Sequence, residues 1–86
     1  MPYTITIKAS ARRSLAKLPK DVGERIARAI DSLAYQPRPS GCKKMEAEDD
    51  LWRIRVGDNR IVYQIHDDVV LVLVVRIGHR RDIYRK

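Results

Sequence analysis

Arg53, Arg55 and Arg60 sit in the stretch WRIRVGDNRIVYQI, residues 52–65, at spacings that send their side chains to one face of a strand pair. Neighbouring like charges on a sheet cost about 0.2–1 kcal/mol per pair, so such a face needs a reason. Guanidinium is a planar fork that grips phosphate or carboxylate at two points. A few residues later GHRRDIYRK adds His79, Arg80, Arg81 and Tyr84. If the strand carrying them folds beside the hairpin, the result is a cationic floor with two proton-transfer groups at its edge. Arginine holds its proton at every physiological pH, whereas histidine titrates near neutrality. Arg53, Arg55 and Arg60 then read as an anion-gripping face, with His79 and Tyr84 as proton-transfer candidates. The plainer alternatives are arginine stems lying over apolar surface with their heads in water, a solvent-exposed histidine and a tyrosine that anchors the tail.

Overall charge points the same way. The 86 residues carry 18 Lys and Arg against 11 Asp and Glu, a net charge of +7, with twelve arginines to six lysines. Such an excess favours nucleic acid, an anionic membrane or an acidic protein as partner. A 44% hydrophobic fraction argues for one folded domain over residues 1–86 rather than disorder. One cysteine excludes an internal disulfide and fits a reducing compartment. The N-terminal stretch lacks the pattern of a secretory signal, and the longest apolar run, 69–75, is too short to span a bilayer. A cytoplasmic protein without a membrane partner is the expectation. Two histidines and one cysteine are too few for a zinc site, no acidic quartet suggests magnesium, and no glycine-rich phosphate loop appears. No metal or cofactor is therefore expected.

The elements that must position these residues follow from periodicity. Tyr3, Ile5 and Ile7 alternate as in a half-buried strand. Ala11, Leu15 and Leu18 recur at helical spacing up to Pro19. A second helix is expected from Asp21 as N-cap, with Glu24 completing a capping box and Val22, Ile26, Ala29, Ile30 and Leu33 as its apolar stripe. Arg25 and Arg28 read as its solvated side. YQPRPSG is a loop, CKKMEAEDD can hold a short strand, and Glu46, Glu48, Asp49 and Asp50 read as a solvated acidic loop. In the hairpin, an Asp58-Asn59 turn sets Gly57 opposite Arg60, Arg55 opposite Val62 and Arg53 opposite Gln64. Trp52, Ile54, Val56, Ile61, Tyr63 and Ile65 then share the core face, which makes Trp52 a core residue rather than a base-stacking platform. Met45, Cys42 and His66 have structural readings only. After a turn at Asp67-Asp68, VVLVLVVRI is apolar without alternation and reads as a strand covered on both sides. The fold class is α+β: an N-terminal strand, a helical hairpin, then a three- or four-stranded antiparallel meander, with the helices packed on one sheet face.

LWRIRVGDNRIVYQI followed by VLVVRIGHRRDIYRK resembles the signature half of the RelE/ParE toxin superfamily, in its RelE-like branch. The upstream strand, SLAKLP and IDSLAYQP, extend the similarity over nearly the whole chain. The resemblance implies the toxin of a bacterial type II toxin–antitoxin pair. It implies a ribosome-dependent mRNA endonuclease that cuts in the decoding site without a metal, by attack of a 2′-hydroxyl on the adjacent phosphate. A cognate RelB-like antitoxin, supplying an acidic amphipathic segment, would neutralise it. The family's site positions fall on Arg53, Arg55, Arg60, Arg80 and Tyr84, with Arg81 and His79 beside them as further RNA-binding and proton-transfer candidates. Active relatives often have lysines at the positions of Arg53 and Arg55 and an aromatic at that of Asn59, and some carry a C-terminal helix beyond the point where this sequence stops. Two alternatives stay open: the sister branch, which poisons DNA gyrase, and a catalytically idle module that only binds nucleic acid.

Overall fold

The computed structural model describes residues 2–45 and 50–79. A strand β1 (Thr4–Ile7) leads into helices α1 (Ala9–Ala16) and α2 (Lys20–Leu33), and four strands follow: β2 (Lys43–Lys44), β3 (Leu51–Val56), β4 (Asn59–His66) and β5 (Leu71–His79). They form one sheet in the order β1-β5-β4-β3-β2. β1 runs parallel to β5 and the other pairs are antiparallel, so the last strand of the meander lies between β4 and the chain's first strand. α2 starts one residue before Asp21, with Pro19 rather than Asp21 at the N-cap and no side-chain cap. Proline fits there because the first N–H groups of a helix have no intrahelical partner and its fixed φ suits helix entry.

Both helices cover one face of the sheet. The apolar stripe of α2, Ile26, Ile30 and Leu33, is buried with Ala11 of α1 against Ile54, Ile61, Tyr63, Ile65, Val72, Val74 and Ile77, while Trp52, Val56, Ile5 and Ile7 pack around them. The core face of the hairpin is the expected one. Its register is not. The loop is Gly57-Asp58, with Val56 opposite Asn59, Arg55 opposite Arg60, Arg53 opposite Val62 and Leu51 opposite Gln64. Gly57 has φ +61° and is the only loop residue with positive φ, the signature of a type II′ hairpin, which takes glycine first and twists with its strands. Glycine thus claims the turn position assigned to Asp58, and Asn59 enters the strand. The slip is by two residues, so every side chain keeps its face.

β5 is likewise not covered on both sides. Val72, Val74 and Ile77 are buried, while Leu71, Leu73 and Val75 are half-exposed. A shift in the pairing of β4 with β5 between Val62 and Tyr63 sets Val62 opposite Arg76 and Tyr63 opposite Val74. On the face away from the helices Leu51 and Val62 form a small second cluster with Met45 and Val75. That cluster is the apolar surface which the unbroken run in β5 serves.

The loop from α2 to β2 is fastened from two sides. Arg38 donates to both oxygens of Asp67, at 2.8 and 3.4 Å, and Tyr3 donates its hydroxyl to the same carboxylate at 2.6 Å. The Arg38 guanidinium also lies 5.2 Å from the centre of the Trp52 ring, within cation–π range. Arg38 and then Tyr3 hold the Asp67 carboxyl below its ordinary range. A carboxylate favoured in the folded chain stabilises it above the unfolded value and ceases to do so as pH falls through that value and below. The acid limb of the stability profile, below about pH 4, is therefore expected to flatten in Asp67→Asn; thermal melts of the two proteins between pH 3 and 6 check this, and parallel profiles would refute it.

Candidate functional site

Register alone assembles the cationic face. Paired residues on adjacent strands share a side of the sheet, so Lys43, Arg53, Val62 and Arg76 form one row across β2, β3, β4 and β5. Arg55, Arg60 and Gly78 form the next. Both rows lie opposite the helices. Glycine at 78 leaves the end of the second row without a side chain. The arginines of the hairpin share a cavity: Arg53, Arg55 and Arg60 line one open cavity of about 270 Å3 together with Lys43, Gly41 and Ile54. Arg55 donates Nε to the Gly57 carbonyl at 2.9 Å, which ties its stem to the turn, and Arg60 donates to the Asn59 carbonyl at 3.4 Å. Direct opposition of Arg55 and Arg60 brings their Cβ atoms to roughly 5 Å. Two like charges so placed are stabilised together by an anion between them.

His79 does not join this face. It stands opposite Asn59, which stands opposite Val56, so the register puts it on the helix side at the end of β5. Strand alternation gives the reason: Ile77 is in the core, Gly78 on the arginine face and the next residue back on the core side. Arg80, Arg81 and Tyr84 lie outside the described residues, as do Glu46, Glu48 and Asp49. Asp50 is described and is exposed at φ +65°.

Two residues enter that the sequence reading left aside. Lys43 joins the cavity through its pairing with Arg53. A strand of two residues has no alternation to betray it, and only the non-local pairing reveals which way it faces. Arg25 is exposed, as its reading on a solvated helix side expects, and also places Nη1 3.9 Å from where a Cβ on residue 57 would stand. It therefore overhangs the turn that ends the arginine hairpin. Among the described residues no group of three or more His, Cys, Asp or Glu side chains is arranged to hold a metal.

The rim of the cavity depends on the loop that supplies Gly41, whose φ of +90° suits glycine. Tyr63, fully buried, donates its hydroxyl to the Pro37 carbonyl of this loop at 2.8 Å. Burial raises the phenol pKa well above its ordinary value, so the group stays a donor throughout the physiological range. Tyr63→Phe is expected to cost about 1–3 kcal/mol, since a part-buried carbonyl loses its partner, and to loosen the cavity rim. Denaturant unfolding reads the loss. An unchanged midpoint would show that the bond does not hold the loop.

β2 pairs only with Trp52 and Arg53, so the edge of β3 beyond them opens beside the cavity. Around that edge an adjoining groove of about 480 Å3 is lined by Ala29, Leu33, Pro39, Ile54, Arg55 and Val56, with Ser32, Ser40 and Gly41. The cationic cavity and the more apolar groove thus share Gly41, Ile54 and Arg55.

Comparison with known proteins identifies the family of the fold. The family model of the ParE toxin of the type II toxin–antitoxin system parDE matches residues 5–84. Toxin RelG of Mycobacterium tuberculosis is 33% identical over 87 aligned positions that cover 100% of both chains. Two crystal structures superpose closely. One is the toxin–antitoxin complex RelBE2 of M. tuberculosis, with a TM-score of 0.80, 29% identity and coverage of 93% of this chain and 100% of that one. The other is the archaeal RelE–RelB complex of Pyrococcus horikoshii, with a TM-score of 0.82, 28% identity and coverage of 93% and 97%. With its mixed five-stranded sheet, its two helices on one face and a match along nearly its whole length, the chain belongs to the RelE/ParE superfamily of type II toxins, in the RelE-like branch.

Proposed function

We propose that this toxin cuts messenger RNA bound in the ribosomal decoding site, without a metal, by in-line attack of a 2′-hydroxyl on the adjacent phosphate. The observation that carries the reading is that Arg53, Arg55 and Arg60 line one open cavity. A pentavalent phosphorane gathers negative charge on its non-bridging oxygens, and fixed guanidiniums aimed there stabilise it without reorganising. Arginine does not take up the 2′-hydroxyl proton, so that step falls to Tyr84 or His79. The side of the sheet on which His79 sits favours Tyr84. Arg80 and Arg81 extend the RNA-binding surface in this reading, and a ribosomal target puts the action in the cytoplasm.

The partner is a RelB-like antitoxin. The two solved relatives above are complexes of this kind, and the groove beside the arginine cavity offers apolar and cationic surface together, which suits an acidic amphipathic segment that folds on binding.

The family model carries the name of ParE, which keeps gyrase poisoning as a second reading. Brief induction in cells separates the two. Primer extension on translated messages is expected to show discrete cuts inside reading frames with chromosomal DNA intact. DNA breaks with intact messages would favour gyrase, and salt-sensitive RNA binding with neither lesion would mark a module that only binds.

A further inference from the structure

We propose that Lys43 is the general acid of the cutting step, giving its ammonium proton to the 5′-oxygen as that oxygen leaves phosphorus; this rests on the RNA-cutting reading above. A ribose alkoxide is a poor leaving group at neutral pH, and a positioned acid at such an oxygen is worth roughly 10²- to 10⁴-fold. The cavity narrows the choice. Of its lining residues, Gly41 and Ile54 carry no proton to give, and Arg53, Arg55 and Arg60 hold theirs too tightly. Among the described lining residues that leaves Lys43, an ammonium on a flexible stem that gives up a proton far more readily than guanidinium does. It is exposed, so water restores the proton after each cut.

Its place in the sheet fits an in-line reaction. Attacking and leaving oxygens stand on opposite sides of phosphorus, so acid and base must flank the phosphate clamp. Strand order supplies one flank: Lys43 on β2 lies at the edge of the sheet, beside Arg53, Arg55 and Arg60 on β3 and β4. Adjacent strands are about 4.8 Å apart, which leaves the amine of a lysine opposite Arg53 within reach of a phosphate held by that arginine. In the step itself the 2′-oxygen forms its bond to phosphorus and loses its proton to the base. The bond from phosphorus to the 5′-oxygen breaks, and that oxygen takes the proton from Lys43. The products are a 2′,3′-cyclic phosphate and a 5′-hydroxyl.

The experiment uses programmed ribosomes, the wild-type toxin and Lys43→Arg, which keeps the charge on an exposed edge strand. Two messages are compared, one natural and one with sulfur in place of the 5′-bridging oxygen at the cut. Thiolate leaves without a proton. Lys43→Arg is expected to cut the natural message at least roughly 10²-fold more slowly than wild type and the sulfur message at the wild-type rate. Equal rates on the natural message would overturn the assignment, as would a defect of the same size on both messages, which would make Lys43 a binding or positioning residue. A wild-type toxin that cuts neither message would instead sink the RNA-cutting reading, and this inference with it.

Discussion

Arg60→Ala is expected to slow message cutting on ribosomes by roughly 10²- to 10³-fold, the loss seen when one preorganised donor to a developing oxyanion is removed. Arg60 is half-buried, opposite Arg55, and among the residues that line the cavity. It is thereby fixed before substrate arrives, which makes it worth more in the transition state than a mobile surface cation. Stability should change little, by about 1 kcal/mol or less, because relief of the like-charge opposition with Arg55 offsets part of the lost contacts. Arg60→Lys keeps the charge but not the fork, so it should fall between the two. Single-turnover cutting rates beside thermal melts check both statements. Full activity in Arg60→Ala would remove this residue from the clamp, and a collapsed melt would make its role structural.

Ile26→Ala should do the reverse, damaging the fold and sparing the chemistry. Ile26 is fully buried in the middle of the apolar stripe of α2, between the sheet and α1. Truncation leaves a cavity in a close-packed core and is expected to cost about 2–5 kcal/mol. A domain of this size has roughly 4–13 kcal/mol in total, so the melting temperature should fall by about 10–25 °C. Arg28→Ala, on the exposed side of the same helix, should shift stability by no more than about 0.5 kcal/mol. At low temperature, where Ile26→Ala is still folded, its cutting rate per folded molecule should match wild type. An Ile26→Ala melt within a degree of wild type would mean that the helix layer does not carry the core.

What the sequence made legible was whatever has a short period. Alternation in residues 52–65 identified the core face and the arginine face, and both survive the two-residue slip because strand side chains repeat every second residue. The stripe of α2 was legible for the same reason at helical period. The exact turn depended on which residue took a positive φ, and Gly57 outcompeted Asp58-Asn59 because only glycine adopts that conformation without cost. The parallel pairing of β1 with β5 and the pairing of Lys43 with Arg53 join segments far apart or too short for any pattern, so the edge of the site came only from the structure. His79 was drawn toward the arginines by nearness in sequence, whereas strand alternation assigns it to the other side. For β5, an unbroken apolar run suggested two covered faces. The second is instead the small cluster of Leu51, Val62, Met45 and Val75 beneath the cationic rows.

The arginine face lies across the sheet from the helices that hold the fold together. Substitutions there should therefore change activity with little effect on stability, and those in the core the opposite. Like charges kept adjacent at Arg55 and Arg60 are a local cost that a ligand anion relieves, which is how a binding site differs from an optimised surface.

The most direct measurement is cutting of a message programmed on ribosomes, with and without a single 2′-O-methyl group on the nucleotide before the scission point, followed by analysis of the ends. The unmodified message is expected to be cut with a 2′,3′-cyclic phosphate on one fragment and a 5′-hydroxyl on the other, and the methylated message to survive at that position. Cutting that persists at the methylated nucleotide, or that leaves a 3′-hydroxyl and a 5′-phosphate, would contradict a guanidinium clamp acting on a phosphate attacked by its own ribose.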